Sequence, residues 1–439
     1  MLPTSAPRLL VLLAAFGLSV PAVSVQGQAG QRGDAVRRAA ALYGEANQAL
    51  EAADTSQFVS AMSEAESLRP GHQTLILQLA YAHAVAGQAS EAIATMQRYA
   101  DHGFVPTTDL SQIPEFEPLL ADDRWGPVAT RLAANRLEVG VAREAYRLET
   151  PDFVPEGIAL DPSTGDFYIG SVHRGEIVRV RDGKPEPFAG PDDGLWAAMG
   201  MRLDDARRHL WVATTAAPNF RGFDPEDEGR TAVLRFDLDR PSDPPLRFER
   251  DEDGAHWYGD LVVAQDGTVY VSDSQGSAVY VIRPEAASLE LLVESPDFPS
   301  PQGIDLGLDG SLYLADYSTG LFRIDPESGD HQPVVAADGI SLLGIDGLYT
   351  YGGNLIAIHN GILPHRVVRL FLSRDGTRVD RAETLETNRP WFAEPTLGMV
   401  VGDDFYFVAN SQWFLFDNDG NLPGADEMQP PLIVKRSLR

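Results

Sequence analysis

Six stretches between residues 157 and 411 share one pattern, and this repetition constrains the fold more than any other feature of the chain. Each copy opens with apolar residues, passes through a turn rich in Asp and Gly, and continues with alternating small and aromatic residues. The copies are GIALDPSTGDFYIGSV (157–172), GMRLDDARRHLWVATT (200–215), DLVVAQDGTVYVSDS (260–274), GIDLGLDGSLYLADYS (303–318), GLYTYGGNLIAIHNG (347–361) and GMVVGDDFYFVANS (398–411). Their central aromatic or aliphatic positions recur every 43 to 59 residues.

A repeat of roughly 40 to 50 residues made of short strands is typical of the blades of a β-propeller. We therefore predict a mainly β fold, with a six-bladed propeller over residues 142–439 and four strands in each blade. In the last blade, 432–438 is expected to form the third strand and 142–149 the fourth. Pairing these two segments closes the ring and removes the open edge that an unfinished sheet exposes.

Residues 35–138 have a different character, because Ala, Leu and Glu recur there with helical periodicity. Helices are predicted over about 35–53, 56–68, 73–86, 89–101 and 122–136. The stretch LQLAYAHAVAGQASEAIATMQRYADHG resembles a tetratricopeptide repeat, a helix pair that commonly presents a protein-binding surface. A protein partner for this α-helical domain is therefore expected. Two repeats are too few to stand alone, so the domain is expected to lean on the propeller.

Residues 1–29 have the features of a cleavable secretory signal: Arg8, the apolar run LLVLLAAFGLSV, and small residues after it. This predicts a secreted or periplasmic protein. The apolar run of residues 9–20 is too short for roughly 30 Å of hydrocarbon, so no membrane span is expected. The chain has no cysteine, which excludes thiol catalysis and cysteine-bound zinc. Its net charge of −29 disfavours nucleic acid as a partner.

In a propeller, the starts of the first strands and the ends of the second strands meet at one mouth of the central channel. Polar residues at these positions predict a small-molecule site with a divalent cation, since carboxylate and amide oxygens suit Ca²⁺ better than Zn²⁺. The predicted metal ligands are Glu156, Asp260, Gln302 and Asp346. Imidazoles titrate near neutrality, and the predicted proton-transfer groups are His173 and His359. The predicted substrate-binding residues are Ser274, Tyr317, Asn360, Glu394 and Asn410.

Residues 150–437 resemble the gluconolactonase and regucalcin (senescence-marker-protein) family, through FVPEGIALDPSTGDFYIGSVHRGEIVRV, GDLVVAQDGTVYVSDS and PQGIDLGLDGSLYLADY. The resemblance implies a six-bladed propeller and, in the family's enzymes, a divalent metal that activates water against lactones or related esters. The family's first-blade glutamate matches Glu156. Its blade-two asparagine falls near Met199, and its blade-three asparagine on Gly259, beside Asp260. Gln302 replaces the blade-four aspartate, to which the resemblance assigns the role of catalytic base, and an amide accepts no proton at neutral pH.

Two hypotheses follow from these residues. The first is an exported, metal-dependent hydrolase of lactones or related esters. The second is a non-enzymatic propeller that binds a small ligand or a protein at the same mouth, with the helices docking a partner. The substitution at Gln302 and the helical repeats favour the second hypothesis, whereas the density of carboxylates at the mouth favours the first.

Overall fold

The computed structural model describes residues 31–250 and 254–439. The predicted signal peptide lies outside the described residues. The described chain forms six antiparallel sheets arranged as propeller blades, preceded by an α-helical region, as the repeats predict. Within these residues, no helix combines the length and apolar character needed to cross a membrane.

Each of the first five blades is a meander that runs outward from the channel. Blade one contains β2 (Pro155–Leu160), β3 (Phe167–Ser171), β4 (Ile177–Arg181) and β5 (Lys184–Ala189). Blade two contains β6 (Ala197–Asp204), β7 (His209–Thr215), β8 (Thr231–Asp237) and β9 (Leu246–Phe248). Blade three contains β10 (Tyr258–Val263), β11 (Val269–Asp273), β12 (Ala278–Ile282) and β13 (Glu290–Glu294). Blade four contains β14 (Pro301–Leu306), β15 (Leu312–Asp316), β16 (Gly320–Ile324) and β17 (His331–Pro333).

Blades five and six differ from this plan at their outer edges. Blade five contains β19 (Ile345–Tyr351), β20 (Asn354–His359), β21 (Arg366–Leu372) and β22 (Arg378–Thr387), and the short β18 (Val335–Ala336) adds to its edge in parallel. Blade six contains β23 (Gly398–Val401), β24 (Asp404–Val408), β25 (Leu432–Ser437) and, outermost, β1 (Arg143–Arg147).

The ring closes through the pairing that the sequence predicts, because β1 runs antiparallel to β25 with Arg143 opposite Lys435. A buried carboxylate holds the start of this strand. Glu386 accepts hydrogen bonds from the backbone amides of Val141 and Ala142, both at 2.8 Å. Arg436, on β25, lies 3.1 Å from the same carboxylate. The first propeller strand is thus joined to both blade six and blade five.

Glycines follow several of the channel-lining residues, because neighbouring inner strands approach too closely there for a side chain. A Cβ at Gly157 would lie 2.1 Å from the carbonyl oxygen of Met199 on the next blade. A Cβ at Gly303 would lie 2.5 Å from the carbonyl oxygen of Asp346. Gly157 and Gly303 therefore let neighbouring blades pack tightly enough to bring residues of different blades together around the channel.

The helical region matches the predicted pattern closely. It contains α1 (Gln31–Glu51), α2 (Thr55–Leu68), α3 (Gln73–Val85), α4 (Ala89–Asp101), α5 (Glu117–Leu120) and α6 (Trp125–Asn135). Its core is made of Ala, Leu, Met and aromatic side chains, and Ile362 of blade five is buried in the same cluster. The tetratricopeptide character of the helix pair α3–α4 stays a prediction.

The helices lean on the propeller, as expected for a unit with too few repeats to stand alone. Gln73 exchanges two hydrogen bonds with the backbone of Leu363, and Arg366 donates to the carbonyl oxygen of His102. Arg69 donates to the carbonyl oxygen of Ser318. Ser318 and Leu363 belong to loops that follow second strands, and Arg366 begins the third strand of blade five, so the helices lie on the mouth side, over blades four and five.

Candidate functional site at the channel mouth

Two buried carboxyl groups from blades one and five lie at the mouth. Glu156, on β2, is 5% exposed, and Asp346, on β19, is 9% exposed. Glu156 accepts a hydrogen bond of 2.7 Å from the indole Nε1 of Trp413. Asp346 accepts one of 2.7 Å from the amide of Asn360. Each carboxyl group therefore has a neutral donor and no ion pair among the described residues, and the charge of Asp346 acts on Glu156.

Burial and the charges of neighbouring carboxylates raise the pKa values of these groups. Burial raises the pKa of Glu156 well above its usual value, and the charge of Asp346 raises it further. Burial, followed by the charge of Glu394, raises the pKa of Asp346 to about 7. Burial also raises the pKa of Glu394. The raised pKa values favour retention of a proton by this group of carboxyls near neutral pH.

A short relay of hydrogen bonds orients Asp346. The phenol of Tyr317 donates to the side-chain Oδ1 of Asn360 at 3.0 Å. This orients the side-chain amide of Asn360 so that its Nδ2 donates to Asp346. Tyr317, Asn360 and Glu394 are three of the predicted substrate-binding residues. The structure places all three near Asp346, where they shape its surroundings.

Two long loops build an aromatic wall beside the carboxyl pair. Residues 409–431, between β24 and β25, carry Trp413 and Phe416, whose rings lie 5.8 Å apart. The ring of Trp257 lies 6.4 Å from that of Trp413. The loop of residues 216–230 (the lid loop) contacts the first loop, since a Cβ at Gly420 would lie 2.3 Å from the carbonyl oxygen of Pro218. An apolar surface thus adjoins two acids, as in many ligand sites.

His173 lies in this wall. Its ring is 5.8 Å from that of Phe416, and its Nδ1 lies 2.9 Å from the carbonyl oxygen of Asn219 in the lid loop. The structure therefore places the predicted proton-transfer histidine at the mouth, on the blade-one side. Among the described residues, no hydrogen bond joins His173 to Glu156 or Asp346.

His359 lies elsewhere. It is the last residue of β20, and its side chain lines a separate cavity of ≈ 180 Å³ shared with His102 and Arg366. Burial lowers its pKa well below the usual value, and the charge of Arg366 lowers it further. Because side chains alternate along a strand end, Asn360 faces the channel and His359 faces the helices. The structure thus separates His359 from the carboxyl pair, and a role in proton transfer at the mouth does not fit its position.

An arginine occupies the channel next to Asp260. The Arg202 Nη2 lies 3.1 Å from Oδ2 of Asp260, whose side chain is 1% exposed. The guanidinium also lies over the ring of Tyr349, 5.0 Å from its centre. Burial raises the pKa of Asp305 to about 6 against the opposing charge of Arg202. Arg202 therefore supplies a positive charge beside the buried carboxyl groups of Asp260 and Asp305.

The four predicted metal ligands do not fit a divalent ion in this arrangement. No three His, Asp or Glu side chains of residues 31–250 and 254–439 converge in a group able to hold one. Asp260 is paired with Arg202, and the amide of Gln302 donates to the Ser300 hydroxyl at 3.2 Å. The other two, Glu156 and Asp346, accept hydrogen bonds from Trp413 and Asn360 and form no ion pair among the described residues.

The remaining predicted binding residues hold the backbone in place. The Ser274 hydroxyl donates to the carbonyl oxygen of Pro301 at 2.6 Å. Asn410 donates to the carbonyl oxygen of Pro430 and accepts from the amide of Leu432, at 3.0 and 2.6 Å. Asn410 thus anchors the long loop that carries Trp413.

Sequence reasoning missed Trp413, Arg202 and Tyr349. A signal for Trp413 existed, because the last repeat delays its third strand to residue 432 and so leaves a long aromatic loop, SQWFLFDN, after the second strand. The signal for Arg202 was weaker. Its inward position depends on a β-bulge between Ala198 and Met201, which changes the facing of the residues that follow.

Comparison with known proteins adds likeness of fold only. No family model matches the chain, and no curated protein does so. Similar solved structures include a gluconolactonase from Xanthomonas campestris (16% identity, TM-score 0.46, 69% of this chain and 92% of the other). They also include a calcium-binding protein, regucalcin, from Agrobacterium tumefaciens (16%, 0.46, 67% and 93%). A PQQ-bound aldose sugar dehydrogenase from Streptomyces coelicolor is a third (15%, 0.47, 68% and 98%).

Proposed function

We propose that the protein is a hydrolase of small lactones or related esters, and that the reaction takes place at the channel mouth. The observation that carries the proposal is the buried Glu156–Asp346 pair, with raised pKa values and an aromatic wall beside it. A carboxyl pair that exchanges one proton near neutral pH supplies a general acid and a general base in one site. The resemblance to gluconolactonases supplies the substrate class.

In this scheme the ionised carboxylate of Asp346 takes a proton from water as the water oxygen attacks the ester carbonyl. The protonated Glu156 gives its proton to the alkoxide oxygen that leaves when the C–O bond breaks. The products are a hydroxyl group and a carboxylic acid, on one molecule if the substrate is a lactone. Asn360 keeps Asp346 oriented, and Trp413 keeps Glu156 oriented, through their hydrogen bonds.

A divalent cation, with Ca²⁺ preferred, stays a prediction from the sequence. When bound in such a site it would polarise the carbonyl group. Glu156 and Asp346 are the residues left to bind it, and two carboxylates are fewer protein ligands than Ca²⁺ usually takes. Chelation separates the two versions of the proposal, because the carboxyl pair needs no metal for the scheme above.

The direct test is a panel of lactones and aryl esters, assayed with protein purified without chelator and then with EDTA. We expect turnover that Glu156→Gln and Asp346→Asn each reduce by about 10² to 10⁴, the usual contribution of a general acid or base. Asp305→Asn is the matched control, since it removes another buried carboxyl whose pKa is raised, deeper in the channel. We expect this control to keep most of the activity.

Equal losses in all three variants would point to a structural effect and would remove the acid–base assignment. Loss of activity on chelation, with restoration by Ca²⁺, would show that the metal is required. If no member of the panel is hydrolysed, the hydrolase proposal fails.

Ligand binding without turnover is the second candidate function. The Arg202–Asp260 pair favours it, because a guanidinium at this point serves recognition of an anionic group as well as it serves catalysis. Binding of a sugar lactone that is neither hydrolysed nor dependent on Glu156 would support this candidate. A protein partner for the helices stays a proposal of the same kind, tested by whether deletion of residues 31–136 abolishes capture of that partner.

Export is proposed from residues 1–29. Amino-terminal sequencing of the protein recovered from the expressing cells tests it. A mature protein that begins near residue 30 is the expected result, whereas an intact start at Met1 in the cytoplasm contradicts it.

A further inference from the structure

A cavity of ≈ 870 Å³ lies between the helices and the propeller, away from the carboxyl pair. Its helical side is formed by the start of α1 and the turn after α2, and its propeller side by loops of blades four and five. A cavity of this volume is in the range of small-molecule sites, which commonly lie at domain interfaces.

Two arginines line this cavity without an anionic partner. Arg69 is 8% exposed; its Nη2 donates to the carbonyl oxygen of Ser318, but its Nε has no hydrogen-bond partner in the described structure. Arg32 donates to the carbonyl oxygen of Thr319. Neither guanidinium forms a direct ion pair within residues 31–250 and 254–439. The charges of Asp297 and Asp316 offset only part of the effect of burial on the pKa of Arg32, and the charge of Asp316 does the same for Arg69. Buried guanidinium groups normally have such a partner, because desolvation of an unpaired charge is costly.

The acidic residues of the cavity do not supply the missing charge. Glu66 is engaged by Arg98 at 2.9 Å, and Asp101 accepts from Gln97 at 2.9 Å. Asp338 is exposed at the rim. Burial lowers the pKa of Arg69 to about 10, and the nearby charge of Asp316 opposes this only in part. On a chain with net charge −29, a cavity lined by two arginines that lack a direct carboxylate contact is a local exception.

Part of the lining is apolar. It includes the side chains of Val36, Leu68, Val334 and Leu342. A ligand that suits the whole cavity therefore has a negatively charged end and an apolar body. A planar guanidinium binds carboxylate and phosphate groups equally well in geometric terms, through paired N–H donors.

We propose that this cavity is a binding site for a small amphipathic organic anion, whose carboxylate or phosphate group pairs with Arg69 and Arg32 while its apolar body packs on the valine and leucine side chains. Such a ligand touches both the helices and blades four and five. Its binding therefore stabilises their contact, since a ligand stabilises the state that binds it.

The test is calorimetric titration of the whole protein with three probes of equal chain length: octanoate, octyl phosphate and octylammonium. We expect saturable binding of at least one anion and none of the ammonium, and the tighter anion identifies the head group. Arg69→Gln and Arg32→Gln are each expected to weaken that binding at least tenfold. Arg366→Gln is the matched control, because it removes an arginine from the same domain interface that lines only the smaller cavity.

Affinity that Arg366→Gln lowers as much as Arg69→Gln does would show an effect of domain contact and would overturn the site. Absence of anion binding to the wild-type protein, or equal binding of octylammonium, would also overturn it. Arg69→Gln removes a hydrogen bond between the domains. If that variant does not fold, Arg32→Gln decides the question alone.

Discussion

The mouth of the channel and its deeper part both bury carboxyl groups, but they treat the charge in opposite ways. At the mouth, Glu156 and Asp346 have neutral hydrogen-bond donors. Beyond the effect of burial, the charge of Asp346 raises the pKa of Glu156, and the charge of Glu394 raises the pKa of both. Deeper in the channel, Arg202 opposes the effect of burial on Asp260 and Asp305. A buried charge with a cation serves to hold the fold together, whereas an uncompensated pair keeps a proton available for chemistry.

The largest expected effect comes from removing the deeper cation. Arg202→Met leaves Asp260 buried beside no positive charge, and loss of one partner of a buried pair costs about 3 to 5 kcal/mol. Chemical denaturation measures the change in the free energy of unfolding. The double variant Arg202→Met with Asp260→Leu removes both charges and is expected to recover most of the loss. If Arg202→Met alone is neutral, the contrast between the two regions disappears.

The second prediction concerns the pH dependence of stability at the mouth. The pKa of Asp346 is raised to about 7 in the folded protein, so between its ordinary value and pH 7 the folded state binds more protons than the unfolded state. Stability conferred by the protonated group is therefore fully present at low pH and falls as pH rises through about 7, by at most about 1.4 kcal/mol per pH unit for one proton. Asp346→Asn is expected to flatten this slope.

Thermal denaturation between pH 5 and 8 checks that expectation. Asp309→Asn is the control, because this partly exposed carboxylate is paired with Arg323, which lowers its pKa, and so it adds no slope in that range. A wild-type slope that Asp346→Asn leaves unchanged would assign the titration to another group.

The third prediction tests the repulsion within the mouth. Glu394 raises the pKa of Asp346, and Gln at position 394 can still accept the hydrogen bond from the amide of Phe414. Glu394→Gln is therefore expected to move the acid limb of the pH–rate profile down by about one pH unit. The same limb in an Asp305→Asn variant should stay in place. A shift of equal size in both variants would mean that the effect is general to the channel.

The ring, its closure and the helices were predictable from the sequence, because each depends on local pattern. Turn residues and alternating side chains mark the strands, and the unmatched segment 142–149 has only one open edge to pair with. Glu156 and Asp346 were predictable as channel residues, since the start of every first strand meets the same mouth. The proximity of Trp413 to Glu156 was not, because it depends on how a long loop crosses from blade six to blade one.

The roles of other residues depend on the direction in which each side chain points and on its tertiary partners, and no local sequence pattern encodes either. His359 and Asn360 are adjacent in sequence, yet one faces the helices and the other faces Asp346. Asp260 reads in the sequence as a free oxygen ligand, whereas a bulge in the preceding blade brings Arg202 to it. Identification of a carboxylate from sequence therefore says little about its charge state, which its neighbours determine.

The smallest expected effect comes from Trp413, and it isolates the hydrogen bond that the indole donates to Glu156. Its indole N–H favours the ionised form of Glu156, so Trp413→Phe removes this support while an aromatic ring remains in the wall. The pKa of Glu156 should rise further, which moves the alkaline limb of the pH–rate profile to higher pH. The loss of one hydrogen bond to a charged group is worth about 1.5 to 3 kcal/mol at most, and less while Glu156 is protonated. Trp257→Phe is the matched control. The Trp257 ring packs against Trp413, whereas the hydrogen bond to Glu156 comes from Trp413. If the alkaline limb moves only in the Trp257 variant, packing of the aromatic wall, and not the Trp413 hydrogen bond, controls the pKa of Glu156. The mouth then differs from the deeper channel only in having no cation.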